Sequence, residues 1–313
     1  MDPTQTSAQT ACTVVIPCRG DWATLKHCLK ALSAQTASIS FEVIVVESSN
    51  DRHVEDVVRT LPQARLIRSD IGLLPGAARN LGAQNATGDI LVFTDSDCEP
   101  DTDWLDSASN ALGQDAKFVG GVIGNSLPLH PIAIADNLMQ CADFMSGRPQ
   151  GPTDALPGGN LAVRRLDFVG LGGFREDLTV GEDTLLVELA SRRWPGQVVF
   201  DPKMRVLHRG RTTLGSYWRH QERFGYHRGA LGLRLKADFQ ERGRHVPYVV
   251  YLCMRRFAYF LTRTIQWEPL SLPRFLIITP FIAFGLAAYG KGFLNGCRMG
   301  AREDKSTNDH LGA

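Results

Sequence analysis

Apolar and polar positions alternate with two different periods along the first third of the chain. Thr13-Val-Val-Ile-Pro17 is a short apolar run with strand character, and behind it Trp22, Leu25, Leu29 and Leu32 fall at helical spacing, with Asp21 as a candidate cap. Phe41 to Val46 predicts a second strand, Val54 to Leu61 a short helix and Ala64 to Ile67 a third strand. The loop Gly72-Leu-Leu-Pro-Gly76 opens a helix over Ala77 to Asn85, Ile90 to Thr94 reads as strand four, and Trp104, Leu105, Ala108 and Leu112 share one helix face. Strands alternating with helices in this way predict an α/β fold, a mainly parallel sheet with helices on both faces. No internal repeat interrupts the series.

In open sheets of this kind ligands lie outside the carboxyl ends of the strands, so the residues just after each apolar run are the informative ones. Strand one ends in Pro17-Cys18-Arg19-Gly20-Asp21, strand two in Glu47-Ser48-Ser49-Asn50-Asp51 and strand four in Asp95-Ser96-Asp97-Cys98-Glu99. Asp95 and Asp97 put two carboxylates at the mouth of a buried strand, where Mg2+ or Mn2+ would relieve their repulsion and bridge them to phosphate oxygens. A solvated turn whose Asp residues cap the next helix explains the same three residues.

Composition adds limits rather than chemistry. The chain has 313 residues, 43% hydrophobic and 21% charged, which is a globular and not a disordered composition. Its seven Cys show no metal-ligand spacing, which argues against zinc and for a reducing compartment. The polar start MDPTQTSAQTA has neither a basic nor an apolar signal region, so a cytoplasmic location is expected.

Charge divides the chain. Residues 1–204 hold 16 Lys and Arg against 26 Asp and Glu, whereas residues 205–263 hold 13 against 3. The basic stretch interleaves aromatics, but no nucleic-acid fold motif accompanies it and the acidic half would repel a phosphate backbone. An anionic membrane surface or a lipid-phosphate acceptor suits it better.

Taken in order, TVVIPCRGD with LKHCLKALSAQT behind it, FEVIVVESSND, GAARNLGAQNATGDILVFTDSDCEP, GGNLAVRR and GEDTLLVELASRR resemble a family 2 glycosyltransferase. The resemblance implies a GT-A (Rossmann-like) fold with a mixed, mainly parallel sheet, and an inverting, metal-dependent enzyme that uses a nucleotide sugar. Residue by residue, it implies that Pro17 and Arg19 wall the base and that Glu47 or Asp51 bonds base or ribose. The family's usual pair of Asp-Asp or Asp-Asn reads Glu47-Ser48 here, which leaves the base open. Arg79 matches a nucleotide-side arginine, Asp95 a ribose or diphosphate contact, and Asp97 a direct metal ligand. His208 matches a residue that completes the metal shell, and Arg209 and Arg211 suit diphosphate oxygens; a surface His in a basic stretch is the alternative.

For the Glu182-Asp183 pair, the resemblance implies that Asp183 is the general base toward the acceptor hydroxyl, with Glu182 next in line. A helix cap is the plain alternative for both. Gly159 and Asn160 match a loop facing donor sugar and acceptor, although a turn would use the same residues. Gln221-Glu-Arg223-Phe224 is similar to the family's Gln-x-x-Arg-Trp element, but one residue short and with Phe for Trp, which argues against a processive enzyme.

Beyond the basic stretch, Val246 to Leu261 and Phe275 to Tyr289 are apolar, the second too short to span a bilayer and weakened by Pro280 and Gly285. A helical pair lying on the membrane is expected, with packing in the catalytic domain or a dimer as the alternative. The expected organisation is a disordered 1–11, a catalytic domain over 12–245, a membrane-associated helical segment over 246–300 and a disordered tail over 301–313. The expected partners are a UDP- or GDP-linked donor, a lipid-linked or glycan acceptor and the cytoplasmic face of an anionic membrane, with no nucleic acid and a homodimer left open. Two other readings stand beside this one: a nucleotidyltransferase making the nucleotide sugar, and a catalytically silent scaffold of the same fold.

Overall fold

The computed structural model describes the backbone of residues 11–235 and 242–309, and the side chains of 11–230 and 242–299. These residues cluster into two compact units, the first running to Ser126 and from Phe144 to Arg209, the second from Leu127 to Asp143 and from Gly210 on.

The first unit holds the sheet. Its elements run β1 (Cys12–Cys18), α1 (Trp22–Ser33), β2 (Phe41–Glu47), α2 (His53–Val58), β3 (Ala64–Arg68), α3 (Pro75–Gln84), β4 (Ile90–Thr94), β5 (Cys98–Pro100) and α4 (Trp104–Gly113). After β6 (Phe118–Asn125) the chain leaves for α5 (Pro131–Cys141) and returns as β7 (Gly151–Pro152), β8 (Asn160–Arg164), α6 (Arg165–Gly170), α7 (Glu182–Arg193) and β9 (Val198–His208). Asp21 caps α1 by accepting from the Thr24 amide at 3.4 Å, as the pattern predicts. Strands β1 and β2 are buried on both faces, which is why they read as unbroken runs of Val and Ile rather than as an alternation.

Strand order is β3-β2-β1-β4-β8-β6-β9-β5, with β7 paired to β9. The half from β3 to β4 is parallel, as expected from its strand–helix alternation. Beyond β4 the sheet is mixed: β8 is antiparallel to β4 and β6, and β5 and β7 are antiparallel to β9. These strands are short or follow long excursions, so no strand–helix alternation announced them.

Glu42 ties three parts of this unit together. Its carboxylate accepts from Thr13 Oγ1 at 2.8 Å, from the Thr87 amide and hydroxyl at 2.7 Å each, and from Arg65 Nε at 3.1 Å. Burial raises its pKa, but these donors together pull it below the ordinary carboxylate value. Stability from this group is therefore present above the unfolded-state pKa and lost as pH falls through the lower folded value. Glu42→Gln should lower stability at neutral pH by about 1–3 kcal/mol, and its deficit should shrink on acidification, read by urea melts at several pH values.

All seven cysteines are free thiols, and burial raises the pKa of Cys12 and Cys28 and pushes that of Cys18 up to about 12, so these three sit as inert core groups.

The second unit is helical: α5, α8 (Leu214–Leu235), α9 (Val246–Trp267), a 3-10 turn at Pro269–Ser271 and α10 (Leu272–Asp309). Helices α8 and α10 meet backbone to backbone. A side chain at Gly225 or Gly229 would collide with the carbonyl oxygens of Tyr289 or Phe293, and one at Gly292 or Gly296 with those of Glu222 or Tyr226. Glycines four apart on both helices make this seam, a spacing that lets helix axes approach closely. The sequence reading passes over it.

That seam is also why α8 groups with the C-terminal helices, so that the unit boundary falls after Arg209 instead of at 245. Helix α10 runs through Pro280 without a break and continues along 301–309, where a disordered tail was expected. Residues such as Ala301, Glu303 and Lys305 are good helix formers, and Ile278, Ile282 and Leu286 bury the flanks of the proline. The expected disorder of residues 1–10 and 310–313 lies outside the described residues. Pro269–Met299 is, among the described residues, the one segment long and apolar enough to cross a membrane.

Candidate functional site

Register explains how distant residues meet. Thr94 of β4 pairs with Asn160 of β8 in antiparallel sense, so Asp95, one step past β4, lies against Gly159, one step before β8. A Cβ on Gly159 would sit 2.5 Å from Asp95 Oδ2. One on Gly158 would sit 3.2 Å from Asp183 Cβ and 3.3 Å from the Arg79 guanidinium. The two glycines leave no room for side chains, so the Asp95 loop and the start of α7 close on the same backbone.

Arg79, on α3 and 4% exposed, spans that gap. Its Nη2 donates to Asp95 Oδ1 at 2.6 Å and its Nη1 to Glu182 Oε1 at 2.7 Å, and its guanidinium lies 5.5 Å from the centre of the Phe174 ring. Burial works against its charge, but Asp95, Glu182 and Asp183 outweigh this and raise its pKa. Burial, with Asp183 beside it, raises the pKa of Glu182, against the pull of Arg79. Asn80, next on the helix, donates to the Phe174 carbonyl and to Glu176 Oε1 at 2.9 Å each and accepts from the Phe174 amide at 2.9 Å, which clamps the loop leading to α7.

Asp183 follows Gly181, whose φ of 91° turns the chain into α7. The Gly158 amide donates to its Oδ2 at 2.9 Å and the Thr184 amide to its Oδ1 at 2.7 Å, leaving the carboxylate half-buried and aimed beside the glycine loop.

On the other side, Asp95, Asp97 and Cys98 present donor atoms within 4.8 Å of one another. His208 Nε2 is 3.4 Å from Asp97 Oδ2, carried there by the β5–β9 pairing that sets Cys98 opposite His208. Two carboxylates with an imidazole alongside suit a divalent cation. Cys98 is a donor the sequence reading passes over; its place directly after Asp97 was the available signal. Arg209 lies next to this group, its amide donating to the Asp97 carbonyl at 2.8 Å and its Nη2 3.4 Å from Glu99 Oε1.

Several assignments change. Glu47 is buried, and its carboxylate accepts from the Ser49 amide at 2.6 Å, the Ser49 hydroxyl at 2.5 Å and the Asn50 amide at 2.9 Å. It is buried and shapes its own loop, so of the two candidates Asp51 is the reachable one. Hydrogen bonds from His53 lower the pKa of Asp51. Both Nη atoms of Arg79, the matched nucleotide-side arginine, are engaged with carboxylates, one of them Asp95 itself. Asn160 is buried with every polar atom used: Nδ2 donates to Val122 O at 3.0 Å and Met204 O at 2.9 Å, and Oδ1 accepts from Trp104 Nε1 at 2.8 Å. It is a core connector and not a sugar contact.

Gln221 and Arg211 belong to the helical unit, where both turn to buried Asp136, Gln221 Nε2 donating at 3.0 Å and the Arg211 amide at 3.1 Å. The Arg211 guanidinium also faces this carboxylate, its Nη1 3.6 Å from Asp136 Oδ2. Arg223 is exposed on α8. Pro17 is half-buried and Arg19 exposed, the Arg19 guanidinium lying against Gly72.

The sheet order and the acidic loop at the carboxyl end of β4 define a GT-A fold. Two solved structures share it: the mannosyltransferase PcManGT of Pyrobaculum calidifontis, in complex with GDP-Man and Mn2+ (TM-score 0.57, 18% identity, 93% of this chain and 88% of that one), and S. aureus TarS with UDP-GlcNAc (TM-score 0.52, 15% identity, 95% and 92%). Residues 13–164 match the model of Glycosyl transferase family 2. The glycosyltransferase AglE of Haloferax volcanii is 30% identical over 180 residues, which are 54% of this chain and 58% of that protein. The chain therefore matches little more than half the length of this relative.

Proposed function

We propose that the chain is an inverting glycosyltransferase that moves a sugar from a nucleoside diphosphate donor to a hydroxyl of a cell-surface glycan or glycolipid, with Mg2+ or Mn2+ as cofactor. The observation that carries this reading is the closure of Asp95, Arg79, Glu182 and Asp183 around Gly158 and Gly159. It brings Asp95, the first carboxylate of the Asp95–Asp97 loop, and Asp183 to one strip of backbone.

Asp97 and Asp95 would hold the cation, with His208 and Cys98 at hand. When bound, it neutralises charge building on the departing diphosphate. Asp183, oriented by the Gly158 and Thr184 amides, takes the proton of the acceptor hydroxyl as its oxygen attacks the anomeric carbon from the side opposite the diphosphate, so the configuration inverts. Glu182 is held by Arg79 away from this task and braces the helix start. The GDP-Man and UDP-GlcNAc complexes of the structural neighbours support a nucleotide-sugar donor, and the Mn2+ of one supports the cation. The nucleotidyltransferase reading lacks a Gly-rich basic loop after β1, where Pro17-Cys18-Arg19-Gly20-Asp21 stands.

A thermal-shift panel of nucleoside diphosphates with and without Mn2+ tests the donor, since ligand bound to the native state raises Tm. One nucleotide should respond, and only with the cation. In Asp97→Ala this response should vanish while the unliganded Tm changes little. An unchanged response in that variant, or none to any nucleotide in the parent, overturns the assignment.

A further inference from the structure

The outward side of the α9–α10 hairpin is an apolar strip. Along α9, Val246, Val250, Met254, Ala258 and Ile265 share one exposed helix face, while Val249, Leu252 and Phe260 are buried on the other. The strip continues over the turn at Leu270 and onto the first turns of α10. Met254 is 68% exposed, Leu270 97% and Ile277 71%.

It then stops: among the described side chains, the exposed positions of α10 after Pro280 are Ala283, Ala287, Lys291, Asn295, Arg298 and Met299. Across residues 242–299 there are eight Arg and Lys and a single acidic residue, Glu268. Some of these cations are internal, Arg263 pairing with Asp143 at 3.2 Å and Arg256 stacking 4.4 Å from the Tyr289 ring centre. Arg255 and Arg274 are exposed at the strip itself.

We infer that this strip docks the helical unit in the plane of an anionic bilayer. A scattered set of exposed apolar side chains needs no explanation, but one face this long, flanked by cations and almost free of acid, matches the headgroup and acyl boundary of an anionic leaflet. A crossing by α10 is disfavoured by its packing. Its second half is fused to α8 along the glycine seam, and Lys291 pairs with Glu222 at 2.8 Å, so a span would draw Arg219, Glu222 and Arg223 toward hydrocarbon.

Flotation of the full chain with phosphatidylglycerol–phosphatidylcholine vesicles tests this. Protein should float with anionic vesicles at low salt, be released only in part by high salt and bind pure phosphatidylcholine poorly. Met254→Asp with Ile277→Asp, both at exposed sites, should retain the far-ultraviolet spectrum and the nucleotide-induced Tm shift yet lower the bound fraction about tenfold. Binding that is unaffected by the double substitution overturns the inference. So does a full chain that ignores anionic vesicles. Sedimentation at twice the chain mass that falls to one in the double variant, without vesicle binding, overturns it too and gives the face to a second copy.

Discussion

Asp183→Asn should bind nucleoside diphosphate as the parent does and lose transfer by about 10²- to 10⁴-fold, the usual contribution of a general base. The substitution keeps the shape and one oxygen that can accept from the Gly158 amide at its 2.9 Å separation, giving up the bond from the Thr184 amide, so the loop should hold. What disappears is the ability to take a proton. Initial rates at saturating donor, beside the nucleotide-induced Tm shift, separate the two effects. Transfer at close to the parent rate would place the base elsewhere. Glu182→Gln is the informative companion. It leaves Asp183 in place, so its loss should follow stability and positioning, and the acidic limb of the pH profile, where a general base titrates, should remain.

Arg79→Met should be the most damaging single change to folding, on the order of 3–5 kcal/mol, because it leaves two carboxylates facing each other with no charge between them. Asp95 and Glu182 lie at 2.6 and 2.7 Å from its two Nη atoms, and Glu182 is itself buried. The pKa of Glu182 is already raised by burial and by Asp183, and losing the guanidinium raises it further. A carboxyl whose folded pKa lies above its unfolded value favours the folded state at low pH and loses that contribution as pH rises through the folded value. Urea melts should therefore show the deficit of Arg79→Met growing from acid toward neutral pH. Adding Glu182→Gln should restore part of it, and a strictly additive double variant would show that the pair is not coupled.

Much of the sheet unit is determined by local pattern. The alternation from Thr13 to Thr94 holds both the element types and their parallel pairing, because buried parallel strands and amphipathic helices each leave a period in neighbouring residues. The acidic loop after β4 and the Glu182-Asp183 helix start are legible for the same reason: their chemistry sits in consecutive residues. Which of these residues remain available is a different matter. Glu47 and Asn160 look like ligands in one dimension, yet Glu47 closes its own loop and Asn160 joins Val122, Met204 and Trp104.

Arg79 shows its carboxylate partners only when β4–β8 register and the approach of α7 place them on both its Nη atoms. The Gly225–Gly229 and Gly292–Gly296 pairs show their meaning only when α8 and α10 lie side by side. Backbone periodicity is a property of adjacent residues, so the sequence alone determined the elements and the motif loops. Hydrogen-bond capacity, ion pairing and close helix contact are used up by partners far away in the chain, and only the tertiary structure decided which side chains stay free to act.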